Sequence, residues 1–183
     1  MEYNRKITLK DGRACILRNG TESDAEAVRE NFILTHGQTD FLTTYPEETS
    51  FTVDQEKEYL KRKTESAREI ALLAEVDGIV AGTAGVDSIG SAEKVRHRAS
   101  FGISIDREWW GLGIGRALTD ACIECAGIMG YTQLELEAVA ANERALALYR
   151  SEGFTEYGRN PRGFCSRLSG LQEIVLMRRV LDE

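Results

Sequence analysis

A turn with three glycines at alternate positions is the part of this sequence best suited to bind an anion. It is the segment WWGLGIGR, residues 109–116, and it lies where a predicted strand is followed by a predicted helix. Glycine lets backbone N–H groups approach a ligand without an obstructing Cβ, and a helix start presents unpaired N–H groups at its positive dipole end. The segment is therefore a candidate cradle for a pyrophosphate group, with a plain strand-to-helix turn as the alternative.

The glycine turn does not match two well-known nucleotide motifs. Its glycines do not follow the GxGxxG spacing of dinucleotide-binding turns, and no GK[ST] ending indicates the phosphate-binding loop of the nucleoside triphosphatases. A nucleotide-binding α/β protein, which would bind ATP or NAD, is therefore disfavoured.

A second segment that could take part in chemistry follows about 30 residues after the first. It is NERALALYRSEGF, residues 142–154, and its first residue, Asn142, is of a type that often caps a helix N-terminus. Together the two segments resemble the GCN5-related N-acetyltransferases, the GNAT family, whose acetyl-CoA site pairs a [QR]xxGx[GA] turn with a later NxxAxxLYxxxGF helix. The second motif is complete here, and the resemblance covers about residues 7–177. Trp110 departs from the pattern, because the family usually has Gln or Arg at that position.

The resemblance implies an N-acetyltransferase that transfers the acetyl group of acetyl-CoA to a primary amine by direct attack. It implies that the strand from Ile103 to Ile105 binds pantetheine through its backbone, that the glycine amides hold the phosphates, and that no metal takes part. The implied cofactor-binding residues are Ile103, Ile105, Trp110, Gly111, Leu112, Gly113, Ile114, Gly115, Arg116, Asn142, Ala145 and Tyr149.

Tyr149 is the expected acid that protonates the departing thiolate. A phenol with a pKa near 10 that donates to a thiol near 8.5 works against a free energy of about 2 kcal/mol, which a close hydrogen bond in a dry site can offset. A core aromatic side chain is the alternative for Tyr149.

The expected base is Glu137, which lies twelve positions before Tyr149, where some ribosomal-protein acetyltransferases of the resembled family carry their catalytic glutamate. In the alternating run LELE, residues 134–137, Glu135 shares a sheet face with Glu137 and is a competing candidate. His97 is a third candidate because imidazole titrates near neutral pH. Proton loss through water, with no single essential base, also stays open.

The acceptor and one other class of function remain open at this point. The resembled family builds acceptor sites from regions that correspond to 37–50 and 160–164, whose mixed polarity does not distinguish a protein N-terminus, a polyamine, an amino acid or an aminated antibiotic. The alternative to an enzyme is an acyl-CoA-binding or sensing module with little or no transfer activity.

Length and composition restrict the cellular role. A chain of 183 residues is long enough for one domain and short for two, so we expect a single acetyltransferase-type domain, 1–183. Its 30 acidic and 23 basic side chains give a net charge of −7, which disfavours nucleic acid and anionic membranes as partners. No apolar run approaches the length of a membrane helix and no signal peptide is evident, so we expect a cytoplasmic protein. The expected partner is a small-molecule amine or a protein amino group, and a homodimer is left open.

The CxxC pair, Cys122 and Cys125, lies inside an apolar helical run. This placement favours two small buried residues over redox or zinc chemistry.

The patterns of hydrophobic residues and turn signals predict an α/β (α+β) fold, with a mixed, largely antiparallel sheet of about six to seven strands and helices on both faces. The resemblance implies that this is an acyl-CoA N-acyltransferase-like fold. The predicted strands are 6–9, 14–17, 69–76, 79–86, 95–105, 133–138, 154–157 and 172–179, with a loop over 158–170. The predicted helices are 24–36, 53–63, 113–128 and 142–151.

Overall fold

The centre of the molecule is one sheet of eight strands, seen in a computed structural model that describes residues 1–181. The strands are β1 Asn4–Thr8, β2 Ala14–Asn19, β3 Ile70–Val76, β4 Ile79–Ser88, β5 Arg98–Ile105, β6 Gln133–Val139, β7 Thr155–Ser166 and β8 Gly170–Val180. The α-helices are α1 Ala25–Gln38, α2 Val53–Glu65, α3 Ile114–Ile128 and α4 Glu143–Ser151. The strand order is β1-β2-β3-β4-β5-β6-β8-β7. The last two residues of the predicted domain, 182 and 183, lie outside the described range.

The predicted fold class is confirmed, since helices cover both faces of a mixed sheet. Side chains alternate between the faces along β3: Leu72 and Ala74 pack with α3, whereas Ala71 and Leu73 pack beneath α1 and α2. Because both faces are covered, β3 is an almost continuous apolar run rather than an alternating one.

The Asp77-Gly78 turn joins β3 to β4 as the sequence predicts. Asp77 has φ 51° and Gly78 has φ 80°, so both central residues adopt the left-handed conformation that a tight hairpin requires. This hairpin brings β4 and then β5 into the middle of the sheet, where the candidate site lies.

The pairing of β5 with β6 is parallel and short. It extends over only three residue pairs, from Arg98 opposite Gln133 to Ser100 opposite Glu135. Beyond them β5 pairs with β4 up to Ile105, and β6 pairs with β8 up to Val139. The two neighbouring strands therefore separate towards their carboxyl ends and leave a cleft in the sheet.

The sheet has eight strands rather than about six to seven. The predicted loop over 158–170 was wrong, because the strand predicted at 154–157 continues as β7 through most of this segment. β7 is an edge strand, almost every side chain in it is exposed, and its pairing with β8 is interrupted at Glu156/Gly158 and at Asn160/Phe164. Hydrophobic alternation is absent because neither face is buried, and Pro161 fits the second interruption because it has no N–H to donate.

Among residues 1–181, no helix combines the length and the apolar character that a membrane crossing requires.

Candidate functional site

The cleft between β5 and β6 opens into two adjoining cavities. The first, called the turn cavity, has a volume of about 480 Å³ and is lined by β5 from Ile103 to Ile105, by the glycine turn and by α4. The second, called the cleft cavity, has a volume of about 620 Å³ and is lined by β6 from Glu135 to Val139 and by β5 from Ser100 to Ile103. Phe41, Leu42, Ile103, Asn142 and Tyr149 line both cavities, so a ligand that spans them would pass these five side chains.

The glycine turn presents a run of free backbone amides. Among residues 1–181, no acceptor is found for any N–H group from 111 to 116; the next amide, that of Ala117, donates to the Gly113 carbonyl. Gly111 has φ 84° and Gly113, the N-cap of α3, has φ 104°. Free amides at a helix start attract anions, and the left-handed conformations that hold the turn open are costly for any residue but glycine.

Gly115 contributes to close packing rather than to an unusual backbone conformation. A Cβ at this position would lie 3.3 Å from Ile105 Cδ1 and 3.3 Å from Leu148 Cδ2. The missing side chain therefore lets α3 start close to both β5 and α4, which together line the turn cavity.

The charge around the turn cavity suits an anion. Of the described residues that line it, Lys10, Arg116 and Arg144 are cationic and none is acidic. Arg116 is already paired with Glu152 and donates to Ser151 Oγ at 2.9 Å, whereas no carboxylate of the described residues pairs with Lys10 or Arg144. Lys10 and Arg144 are therefore better placed than Arg116 to supply unneutralised positive charge.

Trp110 plays a different part from the Gln or Arg that the resembled family usually has. Its Nε1 donates to the Ile105 carbonyl at 2.8 Å, and its ring lies 4.9 Å from the Arg144 guanidinium and 5.5 Å from that of Arg107. The indole thus supports Arg144 at the edge of the turn cavity, and its only N–H is bound to the protein.

Tyr149 is held rigidly with its hydroxyl group unpartnered. Its ring packs edge-on against Phe101 at 6.1 Å and against Phe154 at 6.0 Å. No hydrogen bond joins its hydroxyl to another described residue, and the side chain lines both cavities. Burial raises the pKa of Tyr149 to about 12, so the phenol keeps its proton at neutral pH.

The two carboxylates of β6 differ in their surroundings. Glu135 is buried and bound by Arg98 through two contacts of 2.5 and 2.7 Å, which hold the pKa of its carboxyl below the ordinary value. Glu137 is exposed, lines the cleft cavity and makes no ion pair or hydrogen bond with the described side chains. Of these two carboxylates, only that of Glu137 has no partner among the described side chains.

Of the other predicted residues, some line the cavities and some lie away from them. Asn142 caps α4, with its side chain accepting from the Ala145 amide at 3.3 Å, and its side-chain NH₂ has no acceptor among the described residues. Leu112 and Ile114 do not line the turn cavity: Ile114 is fully buried in the core, and the Leu112 carbonyl accepts from the Lys10 amide at 3.1 Å. His97 is exposed before β5 and lines none of the described cavities.

Lys10 and His36 were missed by sequence reasoning. Lys10 reaches the glycine turn from the β1–β2 hairpin, about 100 residues away along the chain, and no local pattern marks it. His36 is buried near the end of α1 and lines a third cavity on the α1–α2 face of the sheet. The regions 37–50 and 160–164 meet at a fourth cavity, lined by Asp40, Tyr45 and Phe164 among others.

Known proteins share both the sequence and the fold. The model of the acetyltransferase (GNAT) family matches residues 34–154, well over half of the chain. The [ribosomal protein bS18]-alanine N-acetyltransferase of Escherichia coli K12 is 41% identical over 56 residues, which are 31% of this chain and 38% of that protein. The match thus spans less than two fifths of the length of these curated relatives.

Two solved structures show the same fold over nearly all of their length. A GNAT-family acetyltransferase from Streptococcus pneumoniae has a TM-score of 0.87 at 25% identity, covering 91% of this chain and 99% of that one. A Salmonella typhimurium structure, described as an acetyltransferase with its cofactor acetyl-CoA, has a TM-score of 0.81 at 20% identity, covering 91% and 94%. With the family model matched over most of its length, this chain belongs to the acetyltransferase (GNAT) family.

Proposed function

We propose that this protein is an acetyl-CoA-dependent N-acetyltransferase that transfers the acetyl group to a primary amine by direct attack. The observation that carries the proposal is the run of six free amides, 111–116, at a cavity that also contains Tyr149 and the separated edge of β5. The cavity thus combines amides that can bind phosphate, a free strand edge along which the pantetheine chain can lie, and a proton donor. Acetyl transfer from a coenzyme A thioester requires all three.

The chain's residues fit this co-substrate at each of its parts. The amides of the glycine turn and the charges of Lys10 and Arg144 would hold the phosphates. The backbone between Ile103 and Ile105, with the Asn142 amide group, would bind the pantetheine chain. Trp110 would contribute indirectly, by holding Arg144 in place. The buried Ile114 would contribute by fixing the position at which α3 begins.

In the reaction, acetyl-CoA supplies an acetyl group activated as a thioester. The acceptor nitrogen must be neutral to attack, so a base removes one proton from its ammonium form, and Glu137 is free to take it. A backbone N–H of β5 stabilises the negative charge that develops on the carbonyl oxygen. As the new C–N bond forms and the C–S bond breaks, Tyr149 donates its hydroxyl proton to the departing sulfur. The nitrogen then releases its second proton to solvent to become the neutral amide, and the Tyr149 phenolate regains a proton from solvent.

The raised pKa of Tyr149 does not prevent this proton transfer. Burial disfavours the charged form of a thiol as it does that of a phenol, so the same dry environment raises the pKa of both groups. The difference in pKa between the phenol that donates and the thiolate that accepts therefore stays small enough for a close hydrogen bond to offset.

The acceptor is a small-molecule amine or a protein amino group, and the whole chain acts as one domain. The curated relatives act on the alanine of a ribosomal protein, as their name states. We further propose a cytoplasmic location, supported by the free cysteines, of which Cys15, Cys122 and Cys125 are buried. Nucleic acid and membranes are not expected partners, and a homodimer stays open.

Turnover assays test the proposal against the alternative of a binding module. Acetyl-CoA is incubated with the protein and a panel of amines, while free thiol is followed by absorbance and N-acetyl product by mass spectrometry. The proposal predicts thiol and product in equal amounts for at least one amine. Binding of coenzyme A without thiol release above background for any amine would leave only an acyl-CoA-binding module.

A further inference from the structure

A third cavity lies on the opposite face of the sheet from α3, between α1, α2 and the middle strands. Its volume is about 580 Å³. Strands β3, β4 and β5 supply more than half of its lining residues, and α1 and α2 supply most of the rest. Three aromatic side chains line it: Phe32, Phe51 and Tyr59. We call it the helix cavity. A volume of this size is typical of sites for small molecules.

Glu56 is an unpaired carboxylate in this apolar wall. Its side chain is on α2, the residue is 8% exposed, and it makes no hydrogen bond or ion pair with the described residues. Burial raises the pKa of its carboxyl above the ordinary value, and no neighbouring cation counters that effect. Its carboxylate oxygens are not among the fully enclosed side-chain atoms that lack a partner in residues 1–181, so they face the cavity. A carboxylate that faces an apolar cavity with no cation of the described residues beside it points to a cationic group on the ligand.

The other charged or titratable groups of the helix cavity do not supply that cation. Of the described residues that line it, none is lysine or arginine. Asp87 is a second carboxylate, paired with the buried Lys63, which also contacts Glu69 at 3.2 Å. His36 Nδ1 lies 2.7 Å from the Phe32 carbonyl, which can only accept, so Nδ1 carries the proton. Burial lowers the pKa of His36, which keeps the ring neutral and leaves Nε2 as an acceptor.

The helix cavity reaches the same stretch of β5 as the site for acetyl-CoA. Gly102, Ile103 and Ser104 line it, and it shares Leu42, Ile103 and Ser104 with the turn cavity. On α1, His36 lies in the helix cavity and its neighbour Thr35 in the turn cavity. The end of the helix cavity at His36 therefore adjoins the turn cavity, in which the proposed co-substrate would bind.

We infer that the helix cavity binds the acceptor, and that the acceptor is a small amine with an apolar body and a second cationic group, which Glu56 pairs with. The inference rests on the proposed function. The reacting amine lies at Gly102 and Ile103 of β5, which also line the cleft cavity that contains Glu137. The apolar body packs between Phe32, Phe51 and Tyr59, and the second cation neutralises Glu56.

The likeness to the ribosomal-protein acetyltransferases does not decide which acceptor the helix cavity takes. The match to the ribosomal-protein acetyltransferases covers 56 residues, which is shorter than the stretch from Val28 to Ser104 that lines the helix cavity. A likeness of that extent carries no information on how this whole cavity selects its ligand.

A matched pair of amines tests the inference. The para-xylylenediamine molecule has an aromatic body and two aminomethyl groups, whereas para-methylbenzylamine has the same shape with only one cation. In the wild-type protein, we expect kcat/KM for the diamine to exceed that for the monoamine at least about tenfold, well beyond the factor of two given by its two equivalent amines. Glu56→Gln should reduce the ratio to about two and leave the monoamine unchanged. Glu58→Gln, an exposed carboxylate on the same helix, should change neither.

Folding and function are separated by two further measurements. Because Glu56 is buried and unpaired, Glu56→Gln should unfold at the same or a higher temperature than the wild type, so a lost preference cannot be ascribed to misfolding. If no amine is acetylated, the proposed function fails, but the inference about the helix cavity can still be tested. In that case para-xylylenediamine is titrated calorimetrically into the wild type and into Glu56→Gln, both in the presence of coenzyme A. Tight binding lost in Glu56→Gln supports it. A wild-type ratio near two, a ratio unaffected by Glu56→Gln, or no diamine binding in that titration would overturn it.

Discussion

At the scale of single residues, Tyr149 combines a buried ring with a free hydroxyl. Tyr149→Phe keeps the ring contacts with Phe101 and Phe154 and removes only the donor. We therefore expect kcat to fall about ten- to a thousandfold, with nearly unchanged affinity for coenzyme A and an unchanged melting temperature. Steady-state kinetics and calorimetric titration with coenzyme A check this. Equal turnover in the variant would remove Tyr149 from the mechanism.

The two glutamates of β6 should respond oppositely to the same substitution. Glu137→Gln should lower kcat/KM about ten- to a hundredfold without loss of stability, because the exposed carboxylate has no structural partner. Glu135→Gln should instead lower the free energy of unfolding by roughly 1.5–3 kcal/mol, because it weakens the contacts with Arg98. Kinetics and urea unfolding of both variants measure this. A larger loss of activity in Glu135→Gln than in Glu137→Gln would reverse the assignment of the base.

The residues of the site could be predicted from the sequence only where the signal is local. The glycine turn and the helix from Asn142 to Tyr149 are each continuous in the chain, and residues of both line the turn cavity. Glu135 and Glu137 looked equivalent by alternation, and only the contact with Arg98, 37 positions away, separates them. Lys10 and Glu56 have no neighbouring pattern, because the tertiary fold alone brings them to the cavities.

At the scale of elements, the conformation at the start of α3 should control the affinity for acetyl-CoA. Gly113 has φ 104° and caps the helix, so Gly113→Ala should cost about 1–2 kcal/mol and displace the free amides. We expect KM for acetyl-CoA to rise about tenfold, with little change in KM for the amine.

A control for this prediction lies on the same helix. Gly127 does not have a positive φ, and a Cβ there would meet no atom within 4 Å. Gly127→Ala should therefore stabilise the protein by about 0.5–1 kcal/mol and leave both KM values unchanged. An unchanged KM for acetyl-CoA in Gly113→Ala would show that the turn does not hold the co-substrate.

The elements themselves were predictable where burial imposes a pattern. The four α-helices and the β3–β4 hairpin follow from capping residues, apolar periodicity and the Asp77-Gly78 turn. Only the beginning of β7, at 154–157, was predicted; the rest was not, because its exposed side chains carry no alternation and its strand character comes from pairing with β8. The separation of β5 from β6 could not be predicted from the sequence either. It arises because β5 continues to pair with β4, and β6 with β8, beyond the point where β5 and β6 part.

At the scale of the whole molecule, the net charge of −7 coexists with a locally cationic cavity. The free amides and two unneutralised cations are concentrated at one helix start, so the protein does not need a basic surface to bind a polyanion. The helix cavity, with Glu56 and Asp87, has the opposite character. The charges of the two cavities therefore correspond to an anionic co-substrate and a cationic acceptor.

Acid should destabilise the fold through carboxylates paired in the native state. Arg18 donates two hydrogen bonds to Asp24, at 2.7 and 2.8 Å, and the pKa of Asp24 is lowered to about 2. A lowered folded-state pKa stabilises the protein above the ordinary value near 4, and this contribution, about 2 kcal/mol, is lost as pH falls towards 2. Urea unfolding across this range should show a weaker pH dependence for Asp24→Asn. The exposed Asp54→Asn is the control, and an equal dependence in Asp24→Asn and the wild type would contradict the assignment.

The most direct test of the acetyl-CoA site is amide hydrogen exchange with and without coenzyme A. The N–H groups from 111 to 116 have no acceptor within the described chain, so they should exchange rapidly in the free protein. We expect coenzyme A to slow exchange at these amides and along β5 from Ile103 to Ile105. Coenzyme A binding that leaves exchange at both segments unchanged would contradict this expectation.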